Sequence, residues 1–192
     1  MGSPGFHCIY TDRLILRRFR EEDAEAFLRY RSRPDVALYQ GEGWIHFKPD
    51  QALAFVKKQM DFEPGEPDTW FQIAIERKDS GELIGDCGIH TLPNDTRQAE
   101  IGYTIAPEHQ GSGYAKEALR SLLAYLFGQL KIHRVIAVTD TRNSSSIKML
   151  ERLGMRREGH FLQHAWYNGE YADEYLYALL QEEWSQMQES NR

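Results

Sequence analysis

The stretch Glu108–Leu119, EHQGSGYAKEAL, decides how the rest of the chain is read. Just before it, in Ala99–Ile105 (AEIGYTI), Ile101, Tyr103 and Ile105 alternate with Glu100, Gly102 and Thr104. That is the period of a strand with one apolar face. Just after it, Ala115, Leu119, Leu122, Leu123 and Leu126 recur at helical spacing, so a helix buries one stripe. Between the two, Gly111 and Gly113 remove side chains where backbone N–H groups converge on the helix start. Unpaired amides and the helix dipole together attract anions, so the segment predicts a phosphate cradle. A surface turn capping an ordinary amphipathic helix is the competing reading. Two familiar cradles are excluded. A Walker loop needs Lys and Ser/Thr after its last glycine, where Tyr114 and Ala115 stand, and a dinucleotide fingerprint needs a small residue where Lys116 stands.

A chain of 192 residues suffices for one domain with a sizeable core. At 41% hydrophobic and 27% charged residues, the composition is that of a soluble globular protein. No apolar run reaches membrane-spanning length, and the N-terminus lacks a signal-peptide pattern. Phe6 stands where a myristoylation motif wants Ser or Thr. Two distant cysteines, Cys8 and Cys87, point to a reduced, cytoplasmic setting. The net charge of −6 argues against nucleic acid and is compatible with a cationic substrate.

Along the chain, residues 1–10 read as a loose leader and Arg13–Arg17 as the first strand. Helices are expected over Glu21–Arg31 and from Pro49 or Asp50 to Met60, with an aromatic, glycine-containing loop at Tyr39–Phe47 and a linker at Glu63–Asp68. Trp70–Glu76 and Leu83–His90 form a hairpin about Asp79-Ser80-Gly81. Arg134–Thr139 is a buried strand and Asn143–Leu153 a short helix with Gly154 past its end. Two last strands, Arg156–Phe161 and Glu174–Leu180, are separated by the loop Gln163–Tyr171, and residues 185–192 read as a tail. With no internal repeat, the expectation is a single α/β domain over residues 11–184: a mixed, mostly antiparallel sheet flanked by helices.

The pattern Gln110-x-x-Gly113-x-Ala115 resembles the acyl-CoA pyrophosphate loop of the GNAT superfamily of N-acetyltransferases. Asn143-Ser-Ser-Ser-Ile-Lys-Met-Leu-Glu-Arg-Leu-Gly-Met155 resembles the helix that follows in that family. The opening Thr11-Asp-Arg-Leu-Ile-Leu-Arg17 and the ending Trp166-Tyr-Asn-Gly-Glu170 with Asp173-Glu-Tyr-Leu-Tyr177 are similar to the branch containing the Rim-type ribosomal-protein N-terminal acetyltransferases. The resemblance implies splayed central strands, acetyl-CoA as cosubstrate, no metal, and an amine acceptor, either a protein N-terminus or a small polyamine or antibiotic. Dimers are common among such relatives. It also implies that the pyrophosphate sits on Gln110, Gly111, Ser112, Gly113, Tyr114 and Ala115, that Asn143 meets the pantetheine arm, and that the strand end at Thr104 and Ile105 holds the thioester carbonyl and pantetheine. A non-catalytic acyl-CoA-binding module is the rival from another class.

Acetyl transfer needs a neutral amine, yet a lysine amine (pKa ~10.4) and a terminal amine (~8) are mostly protonated at neutral pH. A carboxylate near the entering amine serves as base. Glu100 is the first choice, on the less apolar strand face and, by resemblance, at the family's base position; a salt-bridged strand acid is the plain alternative. Asp86 is a second choice. Leu150 stands where many relatives carry a thiolate-protonating tyrosine, and the Rim-type branch implies Ser146 instead, against the alternative of a surface hydroxyl. Asn143 is equally explained as a helix N-cap. Trp44, Trp166 and Tyr167 are expected as acceptor-pocket walls or as packed aromatics, and Glu42 and Glu170 as attractors of a cation or as solvated charges. The seven histidines show no metal-ligand spacing.

Overall fold

The strand before the glycine turn runs Gln98–Ile105 (β5) and lies at the centre of an eight-stranded sheet of order β1-β2-β3-β4-β5-β6-β8-β7. The computed structural model describes residues 5–40, 43–167 and 169–190, with the side chain of Tyr167 left out. The other strands are Cys8–Tyr10 (β1), Leu14–Arg17 (β2), Thr69–Arg77 (β3), Leu83–Thr91 (β4), Arg134–Asp140 (β6), Arg156–Tyr167 (β7) and Glu170–Leu180 (β8). The helices are Asp23–Arg31 (α1), Pro34–Ala37 (α2), Pro49–Asp61 (α3), Tyr114–Gly128 (α4), Ser144–Arg152 (α5) and Gln181–Ser190 (α6). All neighbouring strands pair antiparallel except β5 and β6, which are parallel. Among the described residues, no helix is long and apolar enough to cross a membrane.

Each face of the sheet has its own cluster. The larger joins Ile73, Ile75, Ile89, Ile101 and Ile105 to the α4 stripe Leu119, Leu122, Leu123 and Leu126 and to Leu150 and Leu153 near α5. The smaller lies with α1 and α3 and contains Phe19, Phe27, Tyr30, Ala52, Val56 and Ala74. Alternation along β3 sends Ile73 and Ile75 to the first cluster and Ala74 to the second, as a strand buried on both faces requires.

Three boundaries differ from the sequence expectation. The leader contains β1, paired through Cys8↔Arg17 to Tyr10↔Ile15, and Phe6 is buried edge-on to Phe71 and Tyr125. A three-residue edge strand with a mostly exposed pattern carries too little periodicity to be seen in sequence. The loop expected at Gln163–Tyr171 is instead the far end of a long β7–β8 hairpin, held by Ala165↔Ala172 and the Trp166–Tyr171 ring contact at 4.8 Å. A bulge between Phe161 and Ala165, with Gln163 at φ 47°, breaks the alternation that would have marked it. The expected tail at 185–192 is largely α6, anchored by Trp184 against Phe127. Gly154 serves α6 as well as the end of α5. It sits at φ 83°, and a β-carbon there would fall 2.4 Å from Met187 Sδ.

Candidate functional site

The parallel pairing of β5 and β6 lasts for Gln98↔Arg134, Ala99↔Val135 and Glu100↔Ile136 and then stops. β5 nevertheless stays paired to β4 as far as Gly85↔Ile105, and β6 to β8 as far as Asp140↔Glu174. Past Glu100 the sheet therefore opens into a cleft between two halves. The Ala106 N–H donates to Ile84 O at 2.8 Å, and Leu92 N–H to Gln98 O at 3.0 Å. Antiparallel alternation then turns the even-numbered β5 residues toward β4 and sends the amides of Ile101, Tyr103 and Ile105 toward the cleft. The Ile105 amide therefore faces the cleft, and the Thr104 amide does not. The latter belongs to the β4 ladder, and the buried Thr104 hydroxyl accepts from Gln40 Nε2 at 2.6 Å.

The glycine turn stands at the mouth of this cleft. Gly111 and Gly113 have φ of 76° and 82°, a left-handed backbone that suits glycine, and residues 110–113 are exposed. Among the described residues, the amides of Gly111 through Lys116 donate no hydrogen bond, so they and the α4 dipole converge on open space. Gln110 is braced, its Nε2 donating to Ile105 O at 2.9 Å. Arg13 braces the turn from outside. It donates from a terminal nitrogen to Ser112 O (3.0 Å) and through Nε to Glu117 Oε2 (2.7 Å), and it lies over the Tyr114 ring. Burial would push the Glu117 carboxyl up, but hydrogen bonds from Thr11 and Arg13 outweigh it and hold the pKa low. The sequence reading had no role for Arg13 here; only the fold brings it to α4.

Across the cleft, Asn143 caps α5, its Oδ1 accepting from the Ser146 N–H at 3.1 Å. Ser146 is half-buried on the first turn of α5 and interacts with the Tyr103 phenol, whose pKa burial raises and Ser146 lowers. Leu150 on the same helix is buried in the core.

On the opposite face of β5, Glu100 is 27% exposed in its side chain. Burial raises its pKa, the neighbouring His90 lowers it, and Glu174 raises it again. His90, its partner on β4, points Nδ1 at Glu100 Oε2 (3.9 Å), places Nε2 3.2 Å from Asp68 Oδ1, and stacks on Trp70 with ring centroids 5.1 Å apart. Trp70 leans over paired Gly88 and Gly102, where β-carbons would meet its ring at 2.9 and 3.6 Å. The sequence reading gives no place beside Glu100 to His90 or Trp70, although counting back from Glu100 across the β4–β5 turn aligns His90 with it.

Asp86 is no base. It is fully buried, bonded to the Tyr30 hydroxyl (2.7 Å) and ion-paired with Arg31. Trp44 is packed among Phe27, Phe47 and Phe55 beneath the Arg31 guanidinium. Glu170 is ion-paired with Arg142, and Trp166 is exposed on the β7–β8 hairpin. Glu42 and the Tyr167 side chain lie outside the described residues. Among the described residues, no three His, Cys, Asp or Glu side chains gather as metal ligands.

A sheet parted beside an amide-lined turn offers an open strand edge to an extended ligand and a seat for its anionic group. The family model for the acetyltransferase (GNAT) domain matches residues 13–156, and the chain belongs to that family, in its Rim-like branch. It is 36% identical over 183 residues to the uncharacterized N-acetyltransferase YnaD of Bacillus subtilis, covering 92% of this chain and 99% of that one. It is 27% identical over 186 residues to the [ribosomal protein uS5]-alanine N-acetyltransferase of Escherichia coli, covering 91% of each. A GNAT-family acetyltransferase from Bacillus anthracis superposes with a TM-score of 0.81 at 33% identity, over 91% of this chain and 99% of that one. The fold is shared with spermidine N-acetyltransferase from Vibrio cholerae, solved with CoA and spermine: TM-score 0.78, 24% identity, 90% and 98% covered. The protein is thus an N-acetyltransferase.

Proposed function

We propose that the chain transfers the acetyl group of acetyl-CoA directly to a primary amine within a ternary complex, with Glu100 as base and Ser146 beside the departing thiolate. The observation that carries this reading is the parting of β5 from β6 just past Glu100. A pantetheine arm entering there pairs with the free edge of β5, as an added strand would, and its amides meet the backbone of Tyr103 and Ile105. The diphosphate then falls on the amides of Gly111–Ala115, and the thioester lies between Glu100 and Ser146. The CoA-bound neighbour supports the cosubstrate. Free Cys8 and Cys87 suit a cytoplasmic setting.

Glu100 removes a proton from the ammonium. Its burial matters because a base with a raised pKa is better matched to that task. The neutral nitrogen attacks the thioester carbonyl, whose oxygen is met by the Ile105 amide. Collapse breaks the C–S bond, and the thiolate is met by the Ser146 hydroxyl, with the Tyr103 phenol behind it. Asp68 beside His90, and Glu174 acting on Glu100, favour a cationic acceptor, either a protein N-terminus or a polyamine. Relatives named for each acceptor support both.

The test is release of free thiol from acetyl-CoA in the presence of a panel of N-terminal peptides, polyamines and aminoglycosides. Turnover that depends on one acceptor class, and that Glu100→Gln abolishes at neutral pH while CoA affinity is kept, is the expected result. Full turnover by Glu100→Gln removes Glu100 as the base, and failure of CoA to bind removes the whole reading.

A further inference from the structure

His90 Nδ1 and Gln72 Oε1 are the two side-chain polar atoms that are buried without a hydrogen-bond partner among the described residues. Both lie on the Glu100 face of the sheet. Trp70, His90 and Glu100 form one row across β3, β4 and β5, and Gln72, Gly88 and Gly102 form the next. An orphaned buried polar atom costs about 1–3 kcal/mol, so two in adjacent rows mark a place built for something other than stability.

The chemistry of the imidazole follows from its neighbours. Asp68, an exposed carboxylate, can only accept, so Nε2 carries the hydrogen. In the neutral ring Nδ1 is then a bare lone pair facing the Glu100 carboxylate, 3.9 Å from Oε2, so a proton arriving on Glu100 finds an acceptor beside it. The other charged groups nearby are Glu174 on β8, which acts on Glu100, and His164 on β7, which is bonded to Glu174 at 2.6 Å. Stacking on Trp70 fixes the plane of the ring.

We propose that His90 and Glu100 work as one base, with His90 Nδ1 receiving the proton that Glu100 takes from the acceptor ammonium. This inference rests on the acetyl-transfer reading above. An acceptor R–NH3+ loses two protons in all. The first passes to the Glu100 carboxylate and on to His90 Nδ1, and the resulting imidazolium, held between Glu100 and Asp68, returns it to water after product leaves. The second leaves nitrogen as the C–N bond forms and the C–S bond breaks, and it ends on the CoA sulfur. His90 acts through Glu100 and is a positioning and relay residue.

The experiment is the pH profile of kcat/KM, with acetyl-CoA and spermidine or an N-terminal peptide as probes, for wild type, His90→Gln, Asp68→Asn and Glu100→Gln. Without the ring that lowers the Glu100 pKa, the acid limb of His90→Gln moves to higher pH, so activity is lost at low pH and the loss fades as pH rises. Asp68→Asn moves it the same way by less. A loss in His90→Gln that is equal at every pH, with Glu100→Gln still inactive, overturns the relay and leaves the base. Full activity in Glu100→Gln overturns both. Imidazole nitrogen shifts of the labelled wild-type protein give a second readout that needs no turnover. Nε2–H with bare Nδ1 above neutral pH supports the relay, and the Nδ1–H tautomer overturns it. Unchanged CoA affinity of His90→Gln shows that the variant is folded.

Discussion

Asp86 and Glu100 are two carboxylates on one face of neighbouring strands, and they have opposite fates. Asp86 is wholly buried and fully partnered by Arg31 and Tyr30, in a network that continues through Gln40 to Thr104. Glu100 is partly open, with the His90 Nδ1 atom 3.9 Å from its carboxylate. The first acid ties α1 to β4, and its partners leave it nothing to exchange. The second is held where its charge is disfavoured, and among the described residues no Lys or Arg is ion-paired with it. Residue type and strand parity are the same for both, so what separates a structural acid from a reactive one is whether the fold supplies a counterion.

That contrast can be broken most forcefully at Asp86. Asp86→Ala leaves Arg31 buried and unpaired, and thermal or denaturant unfolding is expected to show a loss of about 3–5 kcal/mol. A loss below 1 kcal/mol would place Asp86 outside the load of the fold. Glu100→Gln is expected to do the reverse, lowering kcat by roughly a hundredfold or more while leaving the unfolding midpoint intact. Its stability effect has a definite sign. Because burial raises the folded-state pKa of Glu100, the ionised group weakens the fold as pH climbs from its unfolded to its folded pKa. Glu100→Gln is therefore neutral or slightly stabilising at pH 7, and the difference vanishes in acid below the unfolded value. Unfolding curves at neutral and acid pH check this.

The brace behind the glycine turn is expected to matter less. Arg13→Ala frees the Ser112 carbonyl and Glu117, so the KM for acetyl-CoA should rise up to about tenfold with kcat little changed. Smallest is Asn143→Ala, in which loss of the α5 cap costs about 1 kcal/mol of stability. If CoA affinity falls in the same variant, the side chain also meets the ligand.

The glycine turn and α4 were legible because their signals are local: two glycines at left-handed positions, then a leucine stripe of helical period. Strand β5 and the face carrying Glu100 were legible for the same reason. The β7–β8 hairpin was cut short because a bulge and a left-handed Gln163 interrupt its alternation. Helix α6 went unseen because, among its residues, Trp184 alone is buried, so no stripe forms. Choosing between Asp86 and Glu100 depended on Arg31, distant in sequence, and on which aromatics pack. Trp44 and Trp70 look alike as letters, yet one is wedged among phenylalanines and the other lies flat over two glycines.

Three residue pairs stitch β5 to β6, and beyond them the amides of Ile101, Tyr103 and Ile105 face the cleft. Under the proposed reading, an elongated amide-bearing cosubstrate lodged there would supply the missing rungs as a ninth strand. Occupancy and cohesion of the two half-sheets are then one equilibrium: at a hundredfold excess over Kd, a ligand confined to the native state adds about 2.7 kcal/mol. On that reading the enzyme is firmest with its carrier bound and loosest when empty.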